Sequence, residues 1–334
     1  MKAVEATAPC RVDLGGANLD LWPVYLFHPG ALAVGVGIDR RAWARVETGV
    51  DGVHVESKDT LVKARAATVS ELLGADPRSL VAHVLGALGV ESGLRVVTQS
   101  RVPVGSGLGG PLAVAVAVAA AVCHTRGRAV DPDRLGPIVR DAEARSTGRP
   151  AGILAPHVAL RGGALALHLE PGTARVEPLE LDPARVEECL LLVDASASRV
   201  AGLDSWAVCK RRVEGDEETV RSLAKIAAVA RGVREALLEG RFLDVVDLLG
   251  EEWEARKRLG SAVTTPEVDR VVETARAAGG AARACGPRGG GVVAVWAPPG
   301  GRGAGRREAV EHALTAAGVR VFPARVDLRG LELD

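Results

Sequence analysis

Apolar residues run or alternate between turn signals over 31–38 (ALAVGVGI) and 42–47 (AWARVE), and both stretches predict strands. HVES at 54–57 continues that early sheet. Residues 79–90 carry a helical pattern that stops at Gly89, and 93–100 (GLRVVTQS) predicts a strand running into a glycine-rich stretch. The segment that follows, PLAVAVAVAAAVCHTRG, has no usable period, because its alternating residues, Ala and Val, are both apolar. Its length, its alanines, Pro111 in the first turn and Gly127 at the far end point to a buried helix. A second helix is predicted over 133–146, and strands over 162–170 and 189–195.

After Glu217 the pattern changes to long amphipathic helices. Val220, Leu223, Ala227, Ala230 and Val233 recur at helical spacing, with Gly240 as a stop. Phe242 to Leu259 forms the next helix, and its basic end suits a C-terminus. Thr265-Pro266-Glu267 caps a third helix that closes at Gly279-Gly280. A second glycine stretch, CGPRGGG, leads into VVAVWA, then a helix over 305–317 and a strand in VRVFPARV. Strands early and helices late predict an α+β protein of two lobes, with residues 1–188 in one domain and 189–334 in the other.

Composition narrows the partners. Lys+Arg and Asp+Glu both number 42 in 334 residues, which argues against a nucleic-acid binder, whose affinity rests on net phosphate neutralisation. The five cysteines are scattered without metal-ligand spacing and read as free thiols in a reducing compartment. The N-terminus lacks an apolar signal core, and the run Pro111 to Cys123 is too short to span a bilayer. The expectation is a cytoplasmic protein with no nucleic-acid or membrane partner.

The stretch RVPVGSGLGGPLA at 101–113 is the strongest candidate for chemistry. Gly105-x-Gly107-x-x-Gly110 fits a bare dinucleotide fingerprint, and Asp131 follows about 20 residues later, but Arg101-Val102-Pro103 interrupts the strand where that motif needs it to end. No Gly-Lys-Ser/Thr follows, so a Walker P-loop fails as well. A tight turn whose glycines only permit packing is the plain alternative.

Three separated motifs resemble the GHMP kinase superfamily, in order. Pro103-Val104-Gly105-Ser106-Gly107-Leu108-Gly109 is similar to the first half of its central phosphate loop. Ala8-Pro9-Cys10-Arg11-Val12-Asp13-Leu14-Gly15-Gly16-Ala17-Asn18-Leu19-Asp20 resembles its opening motif, and Cys285-Gly286-Pro287-Arg288-Gly289-Gly290-Gly291 its late glycine stretch. The segments around Glu252-Trp253-Glu254 and Thr265-Pro266-Glu267-Val268-Asp269 resemble the heptose-phosphate kinase and sugar kinase branch. The resemblance spans about residues 5–328. It implies a ribosomal protein S5 domain 2-like N-terminal lobe and a ferredoxin-like α/β C-terminal lobe.

The same resemblance implies ATP and Mg²⁺ as cofactors and a small-molecule sugar or sugar phosphate as acceptor; a homodimer stays open. Pro103, Gly105, Ser106, Gly107, Leu108, Gly109 and Gly110 would hold the nucleotide phosphates at the start of the following helix. Arg11 would be catalytic, standing near the acceptor hydroxyl or the transferred phosphate; Gly15, Gly16, Asp20, Gly289, Gly290 and Gly291 would contact the substrate, and Glu143 would take the metal. Trp22, Tyr25 and His28 either line the acceptor pocket or pack in the core. Two departures lie at the reaction centre. The family's metal-side serines fall on Gly110, Pro111 and Leu112, and its catalytic aspartate falls on Ala155. His157 is the nearest side chain with a useful pKa. The expected function is therefore an ATP-dependent sugar or sugar-phosphate kinase, or a pseudokinase that binds nucleotide or a phosphorylated metabolite without efficient transfer.

Overall fold

In a computed structural model, which describes residues 3–195, 202–286, 290–300 and 305–334, the chain opens on a strand that the pattern above does not include. Strand β1 (Ala3–Gly15) alternates Val4, Ala6, Ala8, Cys10, Val12 and Leu14 into the core, an alternation present in the sequence but broken up by Pro9, Arg11 and Asp13. It pairs antiparallel with β2 (Leu32–Thr48). Where two strands are expected at 31–38 and 42–47, one continuous strand forms. The polar Asp39-Arg40 step is a bulge, the register passing from Cys10 opposite Ile38 to Pro9 opposite Arg41.

The first lobe continues with β3 (Val53–Ser57), β4 (Lys63–Ala66), α1 (Val69–Ala75), α2 (Leu80–Ala87), β5 (Leu94–Ser100), α3 (Gly110–Thr125), α4 (Pro132–Thr147), α5 (Leu154–Arg161) and the hairpin β6 (Ala164–Glu170) and β7 (Thr173–Leu179). Beyond α6 (Pro183–Cys189) come β8 (Leu190–Asp194), α7 (Ser205–Val213), α8 (Glu217–Leu238), α9 (Asp244–Arg258), α10 (Pro266–Ala277), β9 (Ala281–Ala284), β10 (Val292–Trp296), α11 (Arg306–Ala316), β11 (Arg320–Pro323) and β12 (Glu332–Leu333). The short elements α1, α5, α6 and α7 are absent from the sequence expectation, since fewer than three turns give no countable period.

Eight strands form one sheet in the order β12-β1-β2-β5-β3-β4, with β6 on the other half of β2 and β7 beyond it; β3 and β5 run parallel. The second sheet, β11-β8-β10-β9, is antiparallel throughout. Helix α3 is apolar all round because it is buried all round, between β1, β2 and the helices α2, α4 and α5. Side-chain caps set the starts of several helices: Asp131 accepts from Asp133 N before α4, and Thr265 from Val268 N before α10. Among the described residues no helix is long and apolar enough to cross a membrane.

The lobes meet on a buried chain of charges. Arg283 of β9 places Nη1 2.8 Å from Glu252 Oε1 on α9 and Nη2 4.0 Å from Asp13 on β1, and Asp13 in turn holds Arg11 Nε at 2.9 Å. Glu252 also accepts the Ala17 amide at 3.3 Å. Arg256, one turn beyond Glu252, donates to the carbonyls of Ala284 at 3.0 Å and Gly286 at 2.6 Å. Glu252 and Arg256 are 0% exposed and Arg283 1%. Replacing Glu252 by Gln should therefore cost about 3–5 kcal/mol, read as a lowered denaturation midpoint, because it leaves buried Arg283 only the more distant Asp13 as a carboxylate. A cost under about 1 kcal/mol would mean that the lobes do not lean on this pair.

Candidate active site

The chain of charges ends beneath the glycine loop. The Arg11 amide donates to Leu108 O at 2.9 Å and its guanidinium Nη1 to Gly107 O at 2.6 Å, so β1 grips the loop by both backbone and side chain. Gly105, Gly107 and Gly109 all adopt positive φ, near +80°, which L side chains rarely take. Gly107 also lies so close to Cys285 that a Cβ would collide with the Cys285 carbonyl, and a Cβ on Gly110 would stand 2.7 Å from Val102 Cγ2. Gly105, by contrast, has open space around it.

The late glycine stretch braces this loop from below. Gly291 N donates to Gly105 O at 3.1 Å, Val292 N to Ser106 O at 3.3 Å, and Gly290 leaves no room for a Cβ against Ser106 O. Gly291 reaches the cavity wall while Gly290 supports the loop, and Gly289 lies outside the described residues. Inside the loop, Ser106 N is taken by Pro103 O and Leu108 N by Ser106 Oγ. The amides of Gly107, Gly109 and Gly110, at the N-terminus of α3, have no partner among the described residues. Pro111 removes one further donor from that first turn.

The loop overlooks a cavity of about 770 Å³. Val55, Val62, Leu80, Val81 and Val102 make one end of its wall apolar, and Arg11, Asp13, Asn18, Asp20, Arg149 and Ala155 make the other end mostly polar. Ala155 stands where a Cβ on Gly109 would be 3.7 Å from its own, beside Arg11. It offers a methyl group where the resemblance leads one to look for a carboxylate.

Asp20 is buried at that polar end. Its Oδ2 accepts the Leu154 amide at 3.1 Å, at the start of α5, and Gly152 has no Cβ because one would run into this carboxylate. Burial pushes the Asp20 carboxyl up to about 6, with the Leu154 hydrogen bond and Arg11 pulling the other way. Glu143 on α4 also lines the cavity. Among the described residues no three His, Cys, Asp or Glu side chains cluster to hold a metal, and Pro111 and Leu112 supply no side-chain oxygen to share one with Glu143.

Several expected site residues fall elsewhere. Gly15 packs on α8, where a Cβ would stand 3.3 Å from Ala230 Cα, and Gly16 turns the chain against Leu32 O; neither lines the cavity. Trp22, Tyr25 and His28 are also outside it, with His28 accepting from Arg212 Nε at 3.1 Å. His157 is buried against Gly136 of α4, its Nδ1 2.8 Å from Arg161 Nη1 and its pKa lowered to about 4 by burial and Arg161. The structure therefore does not bring His157 to the loop. Asp13 and Arg283, which no motif singles out, are missed residues; a charge alternating with apolar positions in a strand was their signal.

Two comparisons of sequence bear on this arrangement. The model for GHMP kinases N terminal domain matches residues 77–163 and that for GHMP kinases C terminal matches residues 233–319. The mevalonate kinase of Thermococcus onnurineus is 26% identical over 99% of this chain and 98% of its own, and a Mycobacterium tuberculosis galactokinase is 29% identical over 66% and 68%. Among solved structures, a D-glycero-D-manno-heptose 1-phosphate kinase from Bacteroides thetaiotaomicron superposes with a TM-score of 0.76 at 20% identity, covering 99% of this chain and 98% of that one. The Lactococcus lactis galactokinase complexed with galactose gives 0.74 at 17%, covering 99% and 95%. The two-lobed α+β fold carries its glycine loop at the N-terminus of a buried helix. The chain belongs to the GHMP kinase family.

The loop geometry separates two substitutions. Gly107→Ala should destabilise the protein and abolish any thermal shift by nucleotide, since it adds the Cys285 clash to backbone strain. Gly105→Ala should cost only the strain, about 1–2 kcal/mol, and keep the shift. Equal effects would mean that the contact with Cys285 is slack. For His157, the neutral form is the one buried, so the unfolded chain binds the extra proton between its ordinary 6.5 and about 4. Stability from this residue is complete above pH 6.5 and falls as pH drops towards 4. His157→Leu should flatten that slope, which midpoints measured at pH 7 and 4.5 will show.

Proposed function

We propose that the protein binds a nucleoside triphosphate, ATP in the first instance, along the glycine loop and transfers its terminal phosphoryl group to a hydroxyl of a small sugar or sugar phosphate. The observation that carries the reading is the set of unpartnered amides of Gly107, Gly109 and Gly110 at the start of α3, with Arg11 anchored beside them. Amides converging at a helix N-terminus suit phosphate oxygens. The apolar end at Val55, Val62 and Val102 suits a base, and the polar end at Asn18 and Asp20 suits hydroxyl groups. The names of the relatives divide between mevalonate and sugars; the hydroxyl-accepting carboxylate of Asp20 favours a sugar.

Phosphoryl transfer asks the protein mainly to align the acceptor and to neutralise charge. Arg11 and the loop amides serve the second need. A magnesium ion would come with the nucleotide phosphates, and Glu143 is the carboxylate on the cavity wall that could meet it; the loop positions 110–112 offer no side-chain oxygen to complete its shell.

A second reading, binding without turnover, draws on the coincidence of Ala155 with Pro111 and Leu112 around one phosphoryl position. The two separate by experiment. ATP or ADP at a hundredfold excess over its Kd should stabilise the protein by about 2.7 kcal/mol, seen as a raised melting temperature. No shift would remove both readings. With the shift in hand, ADP release over a panel of sugars, sugar phosphates and mevalonate should identify an acceptor. A shift without ADP release from any of them would leave binding alone.

A further inference from the structure

We propose that Asp20 is the proton acceptor for the attacking hydroxyl, doing in this chain what a carboxylate at position 155 would otherwise do; the assignment rests on the kinase reading above. Asp20 and Ala155 belong to one corner of the cavity. The carboxylate is tied through Oδ2 to the amide of Leu154, the residue next to Ala155, and Ile153 N donates to the Asp20 carbonyl at 3.4 Å. Gly152 completes the corner by leaving the carboxylate space. Arg11, the side chain nearest the loop carbonyls, lines the same wall.

Each of the other carboxylates of the cavity stands in a different setting. Asp13 is clamped between Arg11 and Arg283. Asp59 accepts the Ser100 amide and Asp76 the Arg78 amide, both exposed near the apolar end. Asp194 pairs with Arg320 at 3.2 Å, and Glu143 lies on α4, only partly buried. Asp20 makes no ion pair among the described residues, so its lone pairs are not held by a guanidinium. The charged groups that act on it are Arg11 and Asp13, both on β1; the first turn of α5 presents only Leu154, Ala155, Pro156 and the neutral His157.

The step balances without a further reactant. The acceptor hydroxyl oxygen attacks the terminal phosphorus, the bond from phosphorus to the bridging oxygen breaks, and its electron pair leaves with the nucleoside diphosphate. The hydroxyl proton passes to the Asp20 carboxylate. Burial raises that carboxyl to about 6, so above pH 6 it is ionised and still draws a proton strongly.

The test uses the intact protein with ATP and whichever acceptor the panel returns. Asp20→Asn, which keeps shape, should lower kcat about 10²–10⁴-fold while the nucleotide thermal shift is kept. The kcat of the natural protein should fall below about pH 6, and that acid limb should vanish from the residual rate of the variant. Adding Ala155→Asp to Asp20→Asn should restore kcat at least tenfold and bring back an acid limb. The proposal is overturned if Asp20→Asn raises KM alone with kcat and its acid limb intact, for then Asp20 only holds the acceptor. If the natural protein binds nucleotide and transfers to no acceptor, the kinase reading itself is what has failed, and the base assignment goes with it.

Discussion

The buried ladder Arg11–Asp13–Arg283–Glu252, with Arg256 beside it, ties the two lobes to the glycine loop. Three arginines face two carboxylates, so the ladder leaves one positive charge in excess at a place from which water is excluded. Such a charge is expensive to bury and would be a poor way to gain stability alone. Its position gives it a use. It lies under a loop with three amides that have no partner among the described residues, so a phosphate bound there, as proposed, would meet a fixed field that needs no rearrangement.

Geometry at the loop follows from the same constraint. Arg11 reaches Gly107 O and Arg256 reaches Gly286 O, and these two glycines touch each other. Each arginine thus spends a donor on one backbone carbonyl of the contact. A side chain at Gly107 or Gly290 would push the two stretches apart, which explains why glycines far apart in sequence belong to one site.

Much of this was legible from the residues. Arg11, Asp20 and the loop, which the motifs grouped, line one cavity, and the alanine-rich run is the buried helix it suggested. Orientation was harder to read. Residues two apart on a helix point about 200° from each other, so with Ala155 facing the loop His157 turns into the packing against α4. The late glycines matched a motif, but their close contacts are with Ser106 and Gly107 rather than with open space, a fact that depends on tertiary approach. Arg283 sits in the four-residue strand AARA, too short for its lone charge among apolar residues to stand out as more than a turn or surface position.

The interlock of Gly107 with Cys285 and of Gly291 with Gly105 also bears on motion. The carbonyls and amides that shape the glycine loop belong to both halves of the chain, so the lobes cannot hinge apart without altering it. Under the proposed function, filling the loop with phosphate and fixing the lobes would be one equilibrium, each strengthening the other by the same free energy. The loop would then be a latch whose key is the nucleotide.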